Sequence, residues 1–110
     1  MSELTRYQII YTKEAVDDLM EKARYIVLTF HDSELAETWY TRLRQEIQEN
    51  LTTFPLKFSL YNVEPWAERG VRLYISRNDV VLYSVAQQTV YIRGVCTKGQ
   101  DLSNHLRNQK

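Results

Sequence analysis

Between Thr12 and Phe30 the apolar residues Val16, Leu19, Met20, Ala23, Ile26, Val27 and Phe30 recur at steps of three and four, while Glu14, Asp17, Asp18, Glu21 and Lys22 fall mostly off that stripe. The spacing predicts an amphipathic helix with one buried face, and Thr12 in front of it supplies a hydroxyl that can accept from an unpaired first-turn amide. A second stripe, Ala36, Trp39, Tyr40, Leu43, Ile47 and Leu51, repeats the period. Asp32 or Ser33 can cap it, and Glu34 suits its positive N-terminal end. Pro55 removes a backbone donor and biases Phe54 out of helical geometry, so this helix is predicted to stop near Thr53. The pair reads as a helical hairpin.

Strand-like patterns flank the hairpin. Residues 7–11 form a short apolar run before it, and residues 71–76, 80–85 and 89–95, rich in Val, Ile, Leu and Tyr, follow it. Asn78-Asp79 and Gln87-Gln88 separate the last three runs and suit tight turns. The order β, α, α, β, β, β predicts an α+β fold in which an antiparallel or mixed sheet packs on the hairpin and leaves its opposite face available. Arg72, Tyr74 and Ser76 alternate with Val71, Leu73 and Ile75, so the arginine and tyrosine are expected on the available face. Tyr91 and Arg93 form a similar pair in the last strand, where a one-residue slip in register reverses their face. Convergence of Arg72 with Arg93 on one patch is the resulting expectation. Residues 56–69 show no period yet contain Phe58, Tyr61 and Trp66, which suits either an irregular lid over the core or part of a binding rim.

Length and composition narrow the class. With 110 residues, 44% of them hydrophobic, the chain suffices for one domain spanning residues 1–110. No apolar run approaches the roughly 18 residues of a membrane span, and Met1 to Arg6 lacks the apolar core of a secretion signal, so a cytoplasmic protein is expected. Cys96 has no partner for an internal disulfide, and a strand position explains it as a small apolar residue. His31 and His105 lack ligand-type spacing to Cys or to each other, so neither a metal nor a cofactor is expected. The zero net charge conceals an asymmetry: residues 1–55 hold six Lys and Arg against ten Asp and Glu, net −4, and residues 56–110 hold eight against four, net +4. A neutral chain lacks the long-range attraction behind non-specific nucleic-acid binding, so direct DNA binding by the chain alone is not expected.

The 7–12 segment followed by Lys13-Glu14-Ala15, the Phe54-Pro55 step, Gly70-Val71-Arg72, Val81-Leu82-Tyr83 and the stretch from Val90 to Asp101-Leu102 occur in an order that resembles the RelE/ParE toxins of bacterial type II toxin–antitoxin systems. The resemblance covers nearly the whole chain and favours the ParE-like branch. It implies a growth-inhibiting toxin neutralised by a cognate antitoxin, with DNA gyrase the target in ParE-like members and messenger RNA on the ribosome the substrate in RelE-like members. Departures from the pattern weigh against RNA cleavage. Val80 stands where the family commonly has an arginine and Thr97 where it often has a histidine, so a general base is missing even though Arg72, Arg93 and Lys98 can serve as donors. Tyr74 or Tyr91 is a base only with a lowered pKa. A sequence pI near 6.7 is also low for a family commonly basic.

Inhibition by binding needs anchors and no catalytic set. The resemblance therefore implies Arg72, Arg77, Arg93 and Lys98 as electrostatic target-binding candidates, with Trp66 and Tyr74 as aromatic anchors; surface ion pairs are the competing explanation for the arginines. Leu28, Leu35 and Tyr40, at or beyond the margins of the stripes, are candidates for a groove that an antitoxin helix contacts. The tail from Lys98 to Lys110 is expected either to dock one helical turn through Leu102 and Leu106 or to order only on binding. A relative that has lost toxicity and only binds an antitoxin is a third reading.

Overall fold

Local chemistry sets the helix boundaries in the computed structural model, which describes residues 6–107. Residues 1–5 and 108–110, the extremes of the N-terminal and tail segments read above, lie outside the described residues. Helix α1 spans Lys13–Phe30, and its N-cap Thr12 accepts the amide of Ala15 at 3.2 Å. The same hydroxyl donates to the carbonyl of Ile92, so this cap also anchors the helix to the sheet. Thr12→Ala is expected to lower stability by about 1 kcal/mol in urea unfolding, a typical loss for one cap. Helix α1 ends at His31, whose left-handed φ of 53° lets its amide close on the carbonyl of Val27. Asp32, one of the two caps expected, accepts the amide of Leu35 and opens α2, Ser33–Leu51. A short 3-10 turn, Pro55–Lys57, follows.

The sheet contains β1 (Gln8–Tyr11), β2 (Arg72–Ser76), β3 (Asp79–Ala86) and β4 (Thr89–Thr97), in the order β1-β4-β3-β2. It is mixed: β1 runs parallel to β4 and the other pairs are antiparallel. The first hairpin turn is Arg77-Asn78, one residue earlier than the sequence suggested, because Asp79 already pairs with Ser76 and Thr97. Helix α3, Leu102–Arg107, ends the described chain.

Two apolar clusters lie on opposite sides of the sheet. The larger joins Leu19, Ile26, Trp39, Leu43, Ile47 and Leu51 of the hairpin to Val81, Tyr83, Val90 and Ile92. The smaller joins Val80, Leu82 and Cys96 to Val71 and Trp66, with Leu106 and the partly buried Tyr61, Leu73 and Leu102 around them. The expectation of an uncovered second face is therefore corrected. The 56–70 connector and α3 cover much of it, because Val80, Leu82 and Cys96 are apolar on a face that water would otherwise reach. The aromatic connector is the lid, and the tail docks through Leu102 and Leu106, two alternatives that the sequence had left open.

The face of β2 is corrected as well. Arg72 and Tyr74 pair across the strands with Tyr83 and Val81, both in the hairpin-side core, so their side chains lie on the hairpin side of the sheet. The physical reason lies in the position of β2 at the sheet edge, where the polar flank of α2 overhangs it in place of the apolar stripe.

Candidate interaction site

The predicted target-binding residues divide into three groups. Arg72 donates to the carbonyl of Phe58 at 2.6 Å and to that of Leu56 at 3.3 Å, pinning the start of the connector to β2. Tyr74 is 8% exposed, meets the Phe58 ring edge-on, and donates to Glu46 Oε1 while accepting from Asn50 Nδ2, each at 3.0 Å. Burial, then the Glu46 carboxylate, pushes its hydroxyl up to about 12, which makes it a poor base at neutral pH. Trp66, 9% exposed, lies in the second core with Arg69 over its ring. These three are occupied within the fold.

Arg93 occupies a bulge. Leu82 faces Gly94 and Tyr83 faces Ile92, so Arg93 is the extra residue, and its Nε donates to Ser84 Oγ at 2.7 Å with the guanidinium 5.6 Å from the Tyr91 ring centre. This places it on the outer face, across the sheet from Arg72, and the expected convergence of the two is corrected. A bulge reaims a side chain without leaving any mark in the alternation of the sequence.

Arg77 and Lys98 do come together at one end of the sheet. Both are exposed, and the amide of Lys98 donates to the carbonyl of Asn78 at 2.8 Å, tying the two turns side by side. The tip of the hairpin lies at the same end. Leu28 is 67% exposed, Phe30 58% and Leu35 43%, whereas Tyr40 packs against the core margin and accepts from Arg44. Arg44 also lies 4.6 Å from the centre of the Tyr11 ring.

A polar strut joins α2 to β2. Glu46 accepts from Ser76 Oγ, Tyr74 OH and Arg42 Nη1. The Ser76 bond, more than the others, holds the Glu46 carboxyl below its ordinary value of 4.5. A lowered folded-state pKa contributes stability that is fully present above 4.5 and is lost as pH falls through the folded value. Urea midpoints measured from neutral pH down through that window are expected to fall less steeply in Glu46→Gln than in the parent.

Sequence reasoning missed a second cluster. β1 covers only the first four residues of β4, so the amide of Val95 is left at an open edge, and Asp18 Oδ2 accepts it at 2.9 Å. His105 Nε2 lies 2.7 Å from the same oxygen, bringing α3 to α1 across the sheet edge. A cleft of about 470 Å³ lies here, lined by Asp18, Glu21, Lys22, Tyr25, Thr97 and His105 among others. Asp18 reads in the sequence as one more solvated helix residue; the usable signal was the mismatch in length between the first and last strands. Val80 is buried in the second core and Thr97 accepts from Lys22 Nζ at 2.9 Å, which gives both departures from the family pattern structural roles.

Among the described residues no group of His, Cys, Asp and Glu is arranged to hold a metal, and no helix is long and apolar enough to cross a membrane. No family model matches the sequence, and no curated protein does. A solved chain of the chromosomal ParDE TA system from P. aeruginosa superposes with a TM-score of 0.70 over 86% of this chain and 98% of its own, at 16% identity. The fold is ParE-like. At that identity the ParE-like likeness lies in the course of the backbone, while the chemistry of each surface belongs to this chain.

Proposed function

We propose that this chain is the toxin component of a type II toxin–antitoxin pair, that it inhibits growth by binding a macromolecular target, with DNA gyrase the target by analogy, and that a cognate antitoxin neutralises it. The superposition on the ParDE chain carries this reading. Exposed apolar residues support a protein partner: Leu28 and Leu35 of the hairpin, together with Val16, Met20 and Phe30, which the spacing had placed on the buried stripe of α1, are each at least two-fifths exposed. Such apolar surface is often an interaction site. An amphipathic antitoxin helix on the hairpin fits it, contacting Leu28, Leu35 and the margin at Tyr40. For the target, Arg77 and Lys98 are the candidates whose side chains lie exposed together, with Arg93 separate on the outer face.

The test is a paired assay of the purified chain: gyrase supercoiling, and cleavage of message on programmed ribosomes. Inhibition of the first with intact message in the second is expected. One observation favours a second reading, an mRNA endoribonuclease: Asp18 beside His105 supplies an acid–base pair that the sequence seemed to lack. If message is cut, His105→Ala should slow cleavage by roughly a hundredfold or more, the usual contribution of such a group. Neither activity, together with tight antitoxin binding and no growth defect on expression, would identify a non-toxic relative.

A further inference from the structure

We propose that a pocket at the hairpin tip binds a short acidic segment of a partner protein by taking up one apolar side chain and pairing the neighbouring carboxylates with Arg77. The pocket, about 270 Å³, has apolar walls from Ile26, Phe30, Leu35 and Trp39. It is smaller than the cavities that usually enclose a whole small-molecule ligand and suits a single side chain. Thr38, Arg42 and Arg77 complete the lining, which contains no carboxylate among the described residues. Arg42 is held by Glu46 and Ser76.

Arg77 differs. It makes no side-chain hydrogen bond or ion pair with the described residues, and its backbone takes the left-handed φ of 57° in the β2–β3 turn. Glycine adopts that conformation with less strain than an arginine, and no internal hydrogen bond or ion pair of the Arg77 side chain with the described residues offsets the difference. Lys98, tied to the same turn through Asn78, adds a second exposed cation nearby. Asp32, which caps the Leu35 amide, and the exposed Glu34 are acidic groups at the tip, and neither lines the pocket. A cationic rim around an apolar hollow complements a segment with acidic residues beside a leucine-sized side chain. A second copy of this chain meeting its own kind at this pocket would instead bring like arginines together.

The experiment uses the full chain, isotopically labelled, and titrates in a fluorescein-tagged Gly/Ser peptide carrying one leucine flanked by aspartates. Control peptides replace the leucine by serine or the aspartates by lysines. Expected are resonance shifts confined to Leu35, the Trp39 indole and Arg77, with both controls binding more weakly. Arg77→Gly should weaken binding roughly tenfold, as loss of a charge-assisted hydrogen bond does, without lowering the melting temperature. Leu35→Ala should weaken it while leaving Arg77 in place. Equal binding of the lysine peptide, shifts elsewhere, unchanged affinity in Arg77→Gly, or no binding at all would overturn the proposal, as would sedimentation showing that self-association fills the pocket. A negative gyrase assay leaves this outcome untouched, so failure of the toxin reading and failure of the pocket are separable.

Discussion

Asp79→Ala is expected to lower the unfolding free energy by about 3 kcal/mol, the lower end of what breaking a buried ion pair from one side costs. Asp79 is 3% exposed and accepts from Trp39 Nε1 at 2.8 Å and from Lys22 Nζ at 3.2 Å. Removing the carboxylate leaves the indole donor buried without a partner and deprives the Lys22 ammonium of its counter-charge. Lys22 retains Thr97 as an acceptor and keeps 22% of its side chain in water, which is why the lower end applies. Urea denaturation with an unchanged m-value would give the loss directly. Combining Asp79→Leu with Lys22→Met should recover part of it, because the uncompensated charge goes too while the Trp39 indole donor stays unpaired. A loss near that of an exposed pair, about 0–1 kcal/mol, would mean that water reaches the group.

Trp66→Ala is expected to cost a similar or larger amount, about 3–5 kcal/mol, as deletion of a large buried aromatic does. The ring fills the second core between Val80, Leu82 and Leu106. Its removal leaves a cavity beneath the connector, which hydrogen exchange should report as loss of protection at the amides of Tyr61 and Val71, bonded to Val71 and Trp66 carbonyls respectively. The same substitution separates two roles for this residue. A surface anchor would lose affinity for a target with almost no change in stability, whereas a core residue loses stability first. A fall of less than about 0.5 kcal/mol, typical of surface changes, would return Trp66 to the surface.

Both expected effects fall on residues whose importance was poorly legible in the sequence. Asp79 read as the second half of an Asn-Asp turn, and Trp66 as one aromatic in a segment without period. The helices, by contrast, were legible to within a residue or two. Thr12 and Asp32 cap them, and α1 ends at Phe30, because capping and periodicity involve neighbours within one turn. For β2 the alternation was read correctly and its orientation inverted. Both faces of this sheet are covered, so Leu73 packs in one cluster and Tyr74 in the other, and hydrophobicity along the strand does not tell them apart. The polar flank of α2, through Glu46 and Asn50, is what draws Tyr74 inward. Asp18 and His105 are 87 positions apart and share no local pattern.

The amino-acid order by itself determined the succession of elements, the helix ends and the α+β class, since each rests on interactions between residues close along the chain. Only the tertiary structure decided which side of the sheet each cation occupies, that the second face is covered, and that Arg77, Lys98 and the hairpin tip share one end. Those outcomes depend on strand register, a bulge at Arg93 and an unequal pair of strands, and each is settled by contacts between distant residues.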